Sequence, residues 1–591
     1  MHRATRFALT FLLLPSALTM GCGAAETLDL TEDGQYEMGL SAGKGDGSSF
    51  SDCELREVLT LVNAPTSDGD ALRDVGVHSR AADNIATARA GLDGLIGTED
   101  DALFDSIRGL DDVFFVGPAA FRQLVAAVSD LCGAAEVEVI FSPQAKENSH
   151  IARAIELIDR AQRSIDIAMY SFSDSGVSSA LEAAIDRGVT VRFVFESARS
   201  EKNSPEGSKS SRLEDLGVDV RYVNKIMHHK YAIFDGPTAD DPGAAHTATL
   251  LTGSANWSNS AATRYDENTT LIRGHQESLL RFQREFDMMW NHSRDFVWNN
   301  ALMFQPATLA DVEIPHDATF DAVFTSDNFD RKVTSHGNTF SVVAGRNTVS
   351  DRLVAMIEGA SDSILVASGH LRSRPVSEAL MAKMEANPEM DIRVYLDSQE
   401  YISASYQNTQ LKDLDTCLEA AGDSVSKTQG CMDRGFLFGQ SLHLAGVPVR
   451  YKYYAYRWHY SYAPQMHNKF MIIDGRILAS GSYNLSDNAE HNTLENVAIY
   501  DASGGGAFGP LIAAFEERFE ALWNTERGST KFNDLIDTIE TATDSFPIVF
   551  DAMSLDWEEV TVLKGAIRDN CPMIGSTGYR TEPEKHFFCE L

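Results

Sequence analysis

Basic charge is scarce in this chain. Against 86 Asp and Glu stand only 50 Lys and Arg, a formal net charge of −36 over 591 residues. Such a surface repels nucleic acid and anionic membranes at long range unless a local basic patch compensates. Long apolar runs are missing too. The run Phe7–Leu18, preceded by Arg3 and Arg6, is too short to span a bilayer. With small residues at Gly21, Cys22 and Gly23 it reads instead as an export signal over residues 1–21. Cys22 stands where a bacterial lipoprotein would carry its lipid, although Leu18 sits one place further from it than that pattern wants. Cysteine is sparse, and no Cys/His cluster has zinc-ligand spacing. Apart from Cys22 there are six, and an even number in an oxidising compartment implies disulfides. Their grouping along the chain suggests Cys53–Cys132, Cys417–Cys431 and Cys571–Cys589. These features place the protein outside the cytoplasm: extracellular, periplasmic or attached to the outer membrane as a lipoprotein.

Hydrophobic residues make up 43% and charged residues 23%, which fits folded domains, and the length calls for several. Residues 22–49 are a Gly, Ser, Thr, Asp and Glu tether. Residues 50–135 turn helical, with apolar positions three and four apart at Leu55, Val58, Leu59 and Val62. Within them Val75-Gly76-Val77 and Val116-Gly117-Pro118 each open a helix. This pairing resembles a tandem helix-hairpin-helix unit, though each copy lacks the second hairpin glycine. Two readings stay open here, a helical spacer and a phosphate-binding module.

The remainder repeats itself. A helical stretch around Ile151, Ala154 and Ile158 leads to the strand residues 164–170, a second helix with Leu181 and Ile185, and the strand residues 189–194. The later copy runs through Leu353 and Ile357, the strand residues 363–367, a helix at Ala379-Leu380, and residues 392–397. Near-continuous apolar strands alternating with amphipathic helices predict a mixed, largely parallel sheet covered on both faces. The pairs Phe286/Trp290 and Phe519/Trp523 close the two copies as core contacts. The copies are bounded as residues 136–300 and 341–527, with an irregular connector at 301–340. An insertion at 398–465 holds Cys417, Cys431 and a Tyr/Arg-rich stretch, Tyr451 to Arg457, which reads equally as a substrate lid or groove wall and as an inert decoration. Residues 528–591 form a C-terminal cap.

Each copy carries the same chemical block. The first reads His228-His229-Lys230 with Asp235 and Gly236, and the second His467-Asn468-Lys469 with Asp474 and Gly475. Both fit H-x-K-x4-D-G. On a strand, His and Lys two places apart share a face. Behind them come Gly253-Ser254-Ala255-Asn256 with Glu267, and Gly481-Ser482-Tyr483-Asn484 with Glu495. Glutamate falls fourteen residues beyond the glycine in both. The only irregularity is spacing, eighteen residues from Asp235 to Gly253 but seven from Asp474 to Gly481; Pro237 to Ala245 absorbs the excess as a longer loop.

These blocks resemble the signature of the phospholipase D superfamily over roughly residues 140 to 525. The resemblance implies two α/β/α sandwich halves packed together behind a small N-terminal all-α domain. It further implies a phosphodiesterase working through a phosphohistidine without a cofactor or metal, as a monomer, since both motifs lie in one chain. His228 is then the nucleophile and His467 the acid/base, oriented by Glu267 and Glu495. Lys230, Lys469, Asn256, Asn484, Ser254 and Ser482 hold phosphoryl oxygens. Asp235 and Asp474 belong to the motif but support its architecture, and His229 faces away from the site. A phospholipid at a membrane surface is the expected substrate, hydrolysed or transferred. A nuclease is the alternative, disfavoured by the net charge. A lipid-joining synthase and a non-catalytic surface-binding protein are weaker readings still.

Overall fold

The computed structural model describes residues 50 and 52–570 except 99, 129–134, 300, 303, 308, 310–311, 336, 456–461, 504–505, 528–529 and 542–549. The proposed leader and tether, Cys132, Arg457 and the pair Cys571–Cys589 lie outside the described residues, as does the side chain of Cys53. The chain divides into two compact units at Ala127/Val128.

The first unit is helical. Its helices span Asp52–Asn63, Gly69–Asp74, Ser79–Arg89, Ile107–Asp111 and Pro118–Val128. Leu55, Val58 and Val62, the stripe legible in the sequence, are buried with Leu72, Ile85, Leu110 and Phe121. Asp68 and Ser106 cap two of these helices, each side chain accepting a backbone N–H. Gly76 turns the chain between the second and third helices at a φ of 94°, where a side chain would be strained. Arg89 is buried and binds the carbonyls of Val62 and Ala64 and the Asp101 carboxylate, which fixes the loop beyond it.

The second unit is built twice on one plan. One sheet has the order Glu136–Ser142, Glu267–Arg273, Thr249–Gly253, Lys230–Phe234, Ser164–Met169, Thr190–Phe195, Asp219–Tyr222, Arg294–Asp295. The other has the order Phe320–Phe324, Asn496–Asp501, Ile477–Gly481, Lys469–Ile473, Ser363–Ser368, Asp391–Asp397, Val449–Ala455, Phe550–Asp556. Parallel pairing is confined to three strands in each, joined through helices. The expected largely parallel sheet is therefore mostly antiparallel, because the motif strands are joined by hairpins.

Helices His150–Arg160 and Ser175–Asp186 cover the outer face of the first sheet, and Thr348–Gly359 and Arg374–Ala386 that of the second. Between the sheets lie Gln276–Asn291 and Gly509–Trp523, in one apolar core drawn from both copies. Phe286 and Trp290 stack there at 5.9 Å, and Phe519 and Trp523 at 5.8 Å. A guanidinium covers each pair: Arg192 lies 5.0 Å from the Phe286 ring and Arg393 5.3 Å from that of Phe519.

Several boundaries differ from those expected. The connector 301–340 contains the edge strand Phe320–Phe324, paired with Asn496–Asp501, so the second copy begins before residue 341. The insertion 398–465 is helical at Ala404–Ala421, Val425–Gly435 and Gly439–Leu444, and Cys417–Cys431 joins the first two at a Cα separation of 5.7 Å. Its tyrosine-rich end is a core strand, Val449–Ala455, with Tyr451 and Tyr454 buried rather than offered to a ligand. The register of this strand shifts between Tyr453 and Ala455, and Tyr453 is left half-buried between the two. The C-terminal segment is likewise no separate cap: Phe550–Asp556 is an edge strand, and Val560 and Leu563 join the second core. Among the described residues, no helix is long and apolar enough to cross a membrane.

Asp235 and Asp474 sit at the far end of their strands from the motif histidines. Asp235 accepts from the N–H groups of Gln162, Arg163 and Ser164, and Asp474 from those of Ser361, Asp362 and Ser363. Both take a positive φ, 53° and 52°, which Asp tolerates better than most residues. Burial pushes the Asp474 carboxyl up, but its bonds to Asp362, Ser363 and Ser361 outweigh this and hold it below the usual carboxylate range. A depressed acid stabilises the fold above its unfolded pKa of about 4, and that contribution is lost as pH falls. Asp474→Ala should cost about 3 kcal/mol near neutral pH, read from the shift of a urea unfolding midpoint. A loss below about 1 kcal/mol would contradict the anchoring role.

Candidate active site

The motif strands Lys230–Phe234 and Lys469–Ile473 occupy equivalent central places in the two sheets. Their histidines lie just before the strands, in segments that cross to the other copy. Ile226–Met227 pairs in parallel with Thr493–Leu494, and the His228 N–H donates to the Leu494 carbonyl at 2.9 Å. In mirror fashion Met466 bridges to Asp266, and the His467 N–H donates to the Asp266 carbonyl at 3.0 Å. Each histidine is thus held by the backbone of the opposite copy.

The side chains cross as well. His228 Nδ1 lies 2.8 and 2.9 Å from the two carboxylate oxygens of Glu495, and His467 Nδ1 lies 2.7 Å from Glu267. Sequence reading paired each glutamate with the site in general; the structure gives each to the histidine of the other repeat. With Nδ1 engaged, Nε2 is the nitrogen left for chemistry. The histidines keep 12% and 21% side-chain exposure, whereas Glu495 and Glu267 are fully enclosed. Lys230 and Lys469 are buried, each donating from Nζ to the carbonyl of its own motif histidine at 2.7 Å.

The serines differ from expectation. Ser254 is fully buried and donates from Oγ to Glu267 at 2.6 Å, while accepting from the Asn268 N–H at 3.0 Å. Ser482 stands likewise behind Glu495. Both therefore position a glutamate, and neither hydroxyl is open to a phosphate. The asparagines lie closer to the surface. Asn256 Oδ1 accepts from the Ser171 N–H at 3.2 Å, whereas Asn484 Oδ1 has no hydrogen-bond partner among the described residues. That second amide remains uncommitted to the protein. His229 is buried and faces away, between Glu285 and Asn496 Nδ2; its counterpart Asn468 accepts from Asn268 Nδ2 at 2.9 Å.

Two acids were missed in the sequence. Glu196 accepts the Met227 N–H at 2.8 Å, and Asp397 the Met466 N–H at 2.9 Å, one residue before each motif histidine. Both stand at the end of the second parallel strand of their copy, an equivalence that the internal repeat already contained. Tyr170 was also missed; its ring lies 4.5 Å from that of His228 at 66°, edge on.

Electrostatics follow from enclosure. Burial pushes Glu267 up to about 8 against the pull of Lys469, and Glu495 up to about 7 against that of Lys230. Burial lowers Lys230 to about 7 and Lys469 to about 8. Burial, then the two lysine charges, holds both histidines well below their ordinary value. Burial thus disfavours the charged form of all six groups, and a bound phosphodiester anion would favour the protonated lysines. Among the described residues a single acidic group has cation-like spacing, Glu214, Asp219 and Asp295, with oxygens within 4.8 Å. It includes no motif residue, and Arg221 lies 4.0 Å from two of its members.

Fold and site together define a duplicated α/β protein whose two H-x-K-x4-D motifs complete one centre. The family model "Cardiolipin synthase, PLD-like domain" matches residues 154–290 and 353–523, more than half of the chain. The chain belongs to the phospholipase D superfamily. Among curated relatives, the mitochondrial cardiolipin hydrolase of Xenopus tropicalis is 31% identical over 150 residues, 25% of this chain and 64% of its own. That of Chlamydomonas reinhardtii is 27% identical over 143 residues, 24% of this chain and 57% of its own. The chain thus spans less than two-thirds of these relatives' lengths. Among solved structures, a phospholipase D family member, Nuc, from Salmonella typhimurium is 28% identical with a TM-score of 0.22, covering 27% of this chain and 97% of its own. The phosphatidylserine synthase of Haemophilus influenzae is 12% identical with a TM-score of 0.41, covering 66% and 89%.

An anion of constant charge reports on the two lysines. Sulfate binding, followed by titration calorimetry, should weaken as pH rises through 7 to 8, where Lys230 and Lys469 lose their protons. Affinity that stays level from pH 6 to 9 would show that these ammonium groups do not face the ligand.

Proposed function

We propose that the protein is a phospholipase D-type phosphodiesterase that hydrolyses, or transfers, the phosphatidyl group of phospholipids through a phosphohistidine. The observation that carries the reading is the pair of crossed His–Glu contacts, which direct both Nε2 atoms toward one cationic centre. The family model and the relatives named as cardiolipin hydrolases support the lipid substrate class.

His228 Nε2 attacks phosphorus, forming the N–P bond as the bond to the leaving alcohol oxygen breaks. His467, protonated at Nε2, gives its proton to that oxygen. Water, or an acceptor alcohol, then loses a proton to His467 and attacks the phosphohistidine, releasing His228. Lys230, Lys469 and the Asn484 amide stabilise the charge on the phosphoryl oxygens. Glu495 and Glu267 keep the proton on Nδ1 and balance the imidazolium. We further infer a monomer, since one chain supplies both motifs, and an oxidising compartment, supported by Cys417–Cys431.

Headgroup release from cardiolipin and phosphatidylcholine vesicles, measured with EDTA beside plasmid nicking, tests the substrate class. Release should fall by roughly 10³-fold or more in His228→Ala and His467→Ala. Plasmid nicking without lipid turnover would replace this reading with a nuclease. The histidine roles separate on a nitrophenyl phosphodiester, whose leaving group needs no acid. His467→Ala should then accumulate a phosphoryl adduct on the peptide containing His228, seen by mass spectrometry, and His228→Ala none. An adduct on His467 instead would exchange the roles.

A further inference from the structure

Each glutamate that crosses to a motif histidine is followed by an asparagine, and that asparagine crosses as well. Asn496 Nδ2 donates to His229 Nδ1 at 2.9 Å, and Asn268 Nδ2 donates to Asn468 Oδ1 at 2.9 Å. His229 and Asn468 are the middle residues of the two H-x-K motifs. The amide oxygens cross too: Asn268 Oδ1 accepts from Ser480 Oγ at 3.0 Å, and Asn496 Oδ1 from Thr252 Oγ1 at 3.5 Å. Ser480 and Thr252 each stand one residue before the glycine of G-S-x-N. A Glu-Asn dipeptide therefore grips the opposite motif at two successive residues, the glutamate at the histidine and the asparagine at the residue after it.

Within its own copy each asparagine is bound to the serine behind its glutamate. The Asn268 N–H donates to Ser254 Oγ at 3.0 Å, and that hydroxyl donates to Glu267. The Asn496 N–H donates to Ser482 Oγ at 3.0 Å, and Ser482 bonds to Glu495. The glycines admit this backbone, since a Cβ on Gly253 or Gly481 would lie 2.3 Å from the carbonyl oxygen of Asn268 or Asn496. Asn268, Asn468, Asn496 and His229 are all fully buried, so a lost bond there leaves a polar group unpaired. Two chains of contacts result, His229–Asn496–Ser482–Glu495–His228 and Asn468–Asn268–Ser254–Glu267–His467, and they share no residue. Their far ends differ. With Nδ1 accepting from Asn496, the His229 proton lies on Nε2, which faces Glu285 Oε1 at 3.3 Å. Asn468 has no such carboxylate; its Nδ2 meets the Met466 sulfur at 3.8 Å.

We propose that Asn496 with His229, and Asn268 with Asn468, are positioning residues, each pair holding the glutamate that orients one motif histidine. The first pair acts through Glu495 on His228, and the second through Glu267 on His467. A buried amide held at both of its polar atoms leaves the adjoining peptide little freedom, and the glutamate is the next residue. Hydrogen bonds weaken steeply with distance and angle, so a small loss of register costs the histidine its orientation before it costs the fold. The inference rests on the phosphohistidine reading above for what the two histidines do, and on the contacts alone for which histidine each pair serves.

The test breaks each tie and then restores one. His229→Phe removes the acceptor for Asn496, whereas His229→Asn puts an amide oxygen back in the place of Nδ1, as Asn468 does in the other copy. Asn468→Leu breaks the second tie. In spectra of ¹⁵N-histidine protein, the Nδ1–H signals of His228 and His467 are assigned by their absence in His228→Ala and His467→Ala. His229→Phe should move the His228 signal and leave that of His467, and Asn468→Leu should do the reverse. Signals that move together, or not at all, overturn the proposal. Rates give a second readout on the nitrophenyl phosphodiester. In the His467→Ala background His229→Phe should slow formation of the His228 adduct about tenfold, and His229→Asn should recover most of that loss. Equal slowing by Phe and Asn would make His229 a packing residue and overturn its part in the tie. If no phosphodiester is cleaved and no adduct forms, the phosphodiesterase reading falls and the two signals still decide the proposal. If phospholipid is cleaved and the signals do not separate, the proposal falls and that reading stands.

Discussion

The crossed contact between each motif histidine and the glutamate of the opposite repeat is the interaction on which the site depends. Neither copy carries a complete His–Glu unit. His228 without Glu495, or His467 without Glu267, would lose the group that fixes its tautomer. The packing of the two sheets on one shared core is therefore part of the site's chemistry. That core draws Phe282, Phe286 and Trp290 from one copy and Phe515, Phe519 and Trp523 from the other. The stacked pairs and their arginine lids set the copies against each other, and the parallel pairing of Ile226–Met227 with Thr493–Leu494 carries that registration to the histidines.

Enclosing two lysines and two glutamates is costly unless each finds a partner. The protein meets the cost with short, local bonds: lysine to histidine carbonyl, serine to glutamate, asparagine across to the opposite motif. Beside this network Asn484 Oδ1 has no hydrogen-bond partner among the described residues. A closed polar network of this kind is rigid, and it holds both lysines beside the two motif histidines.

The motifs, their pairing in one centre, the helical first unit and the core aromatic pairs were legible in the sequence, because each rests on repetition or on helical period. The crossing was not. Glu267 and Glu495 recur at a fixed offset, and an offset along one chain does not say which histidine a carboxylate reaches. Ser254 and Ser482 recur beside half-buried asparagines, and only burial and hydrogen bonding show that they face the glutamates. Glu196 and Asp397 escaped because a Glu matched to an Asp weakens the repeat at the level of letters, though both accept the same backbone N–H. The edge strands Phe320–Phe324 and Phe550–Asp556 escaped because each pairs far along the chain, and short half-buried strands carry little period.

Duplication with one insertion breaks the symmetry that the chemistry must break. In a perfectly repeated site both histidines would titrate alike and neither would be committed to attack or to proton transfer. The two surroundings differ here at equivalent positions: Tyr170 packs edge-on against His228, while its counterpart Gly369 opens the side of His467 toward His370, Glu400 and the inserted helices. Each motif histidine has a further histidine among the charges acting on it, His370 at His467 and His229 at His228, but Tyr170 packs edge-on against His228. The two histidines therefore stand in different surroundings, Tyr170 beside one and Gly369 and His370 with Glu400 beside the other.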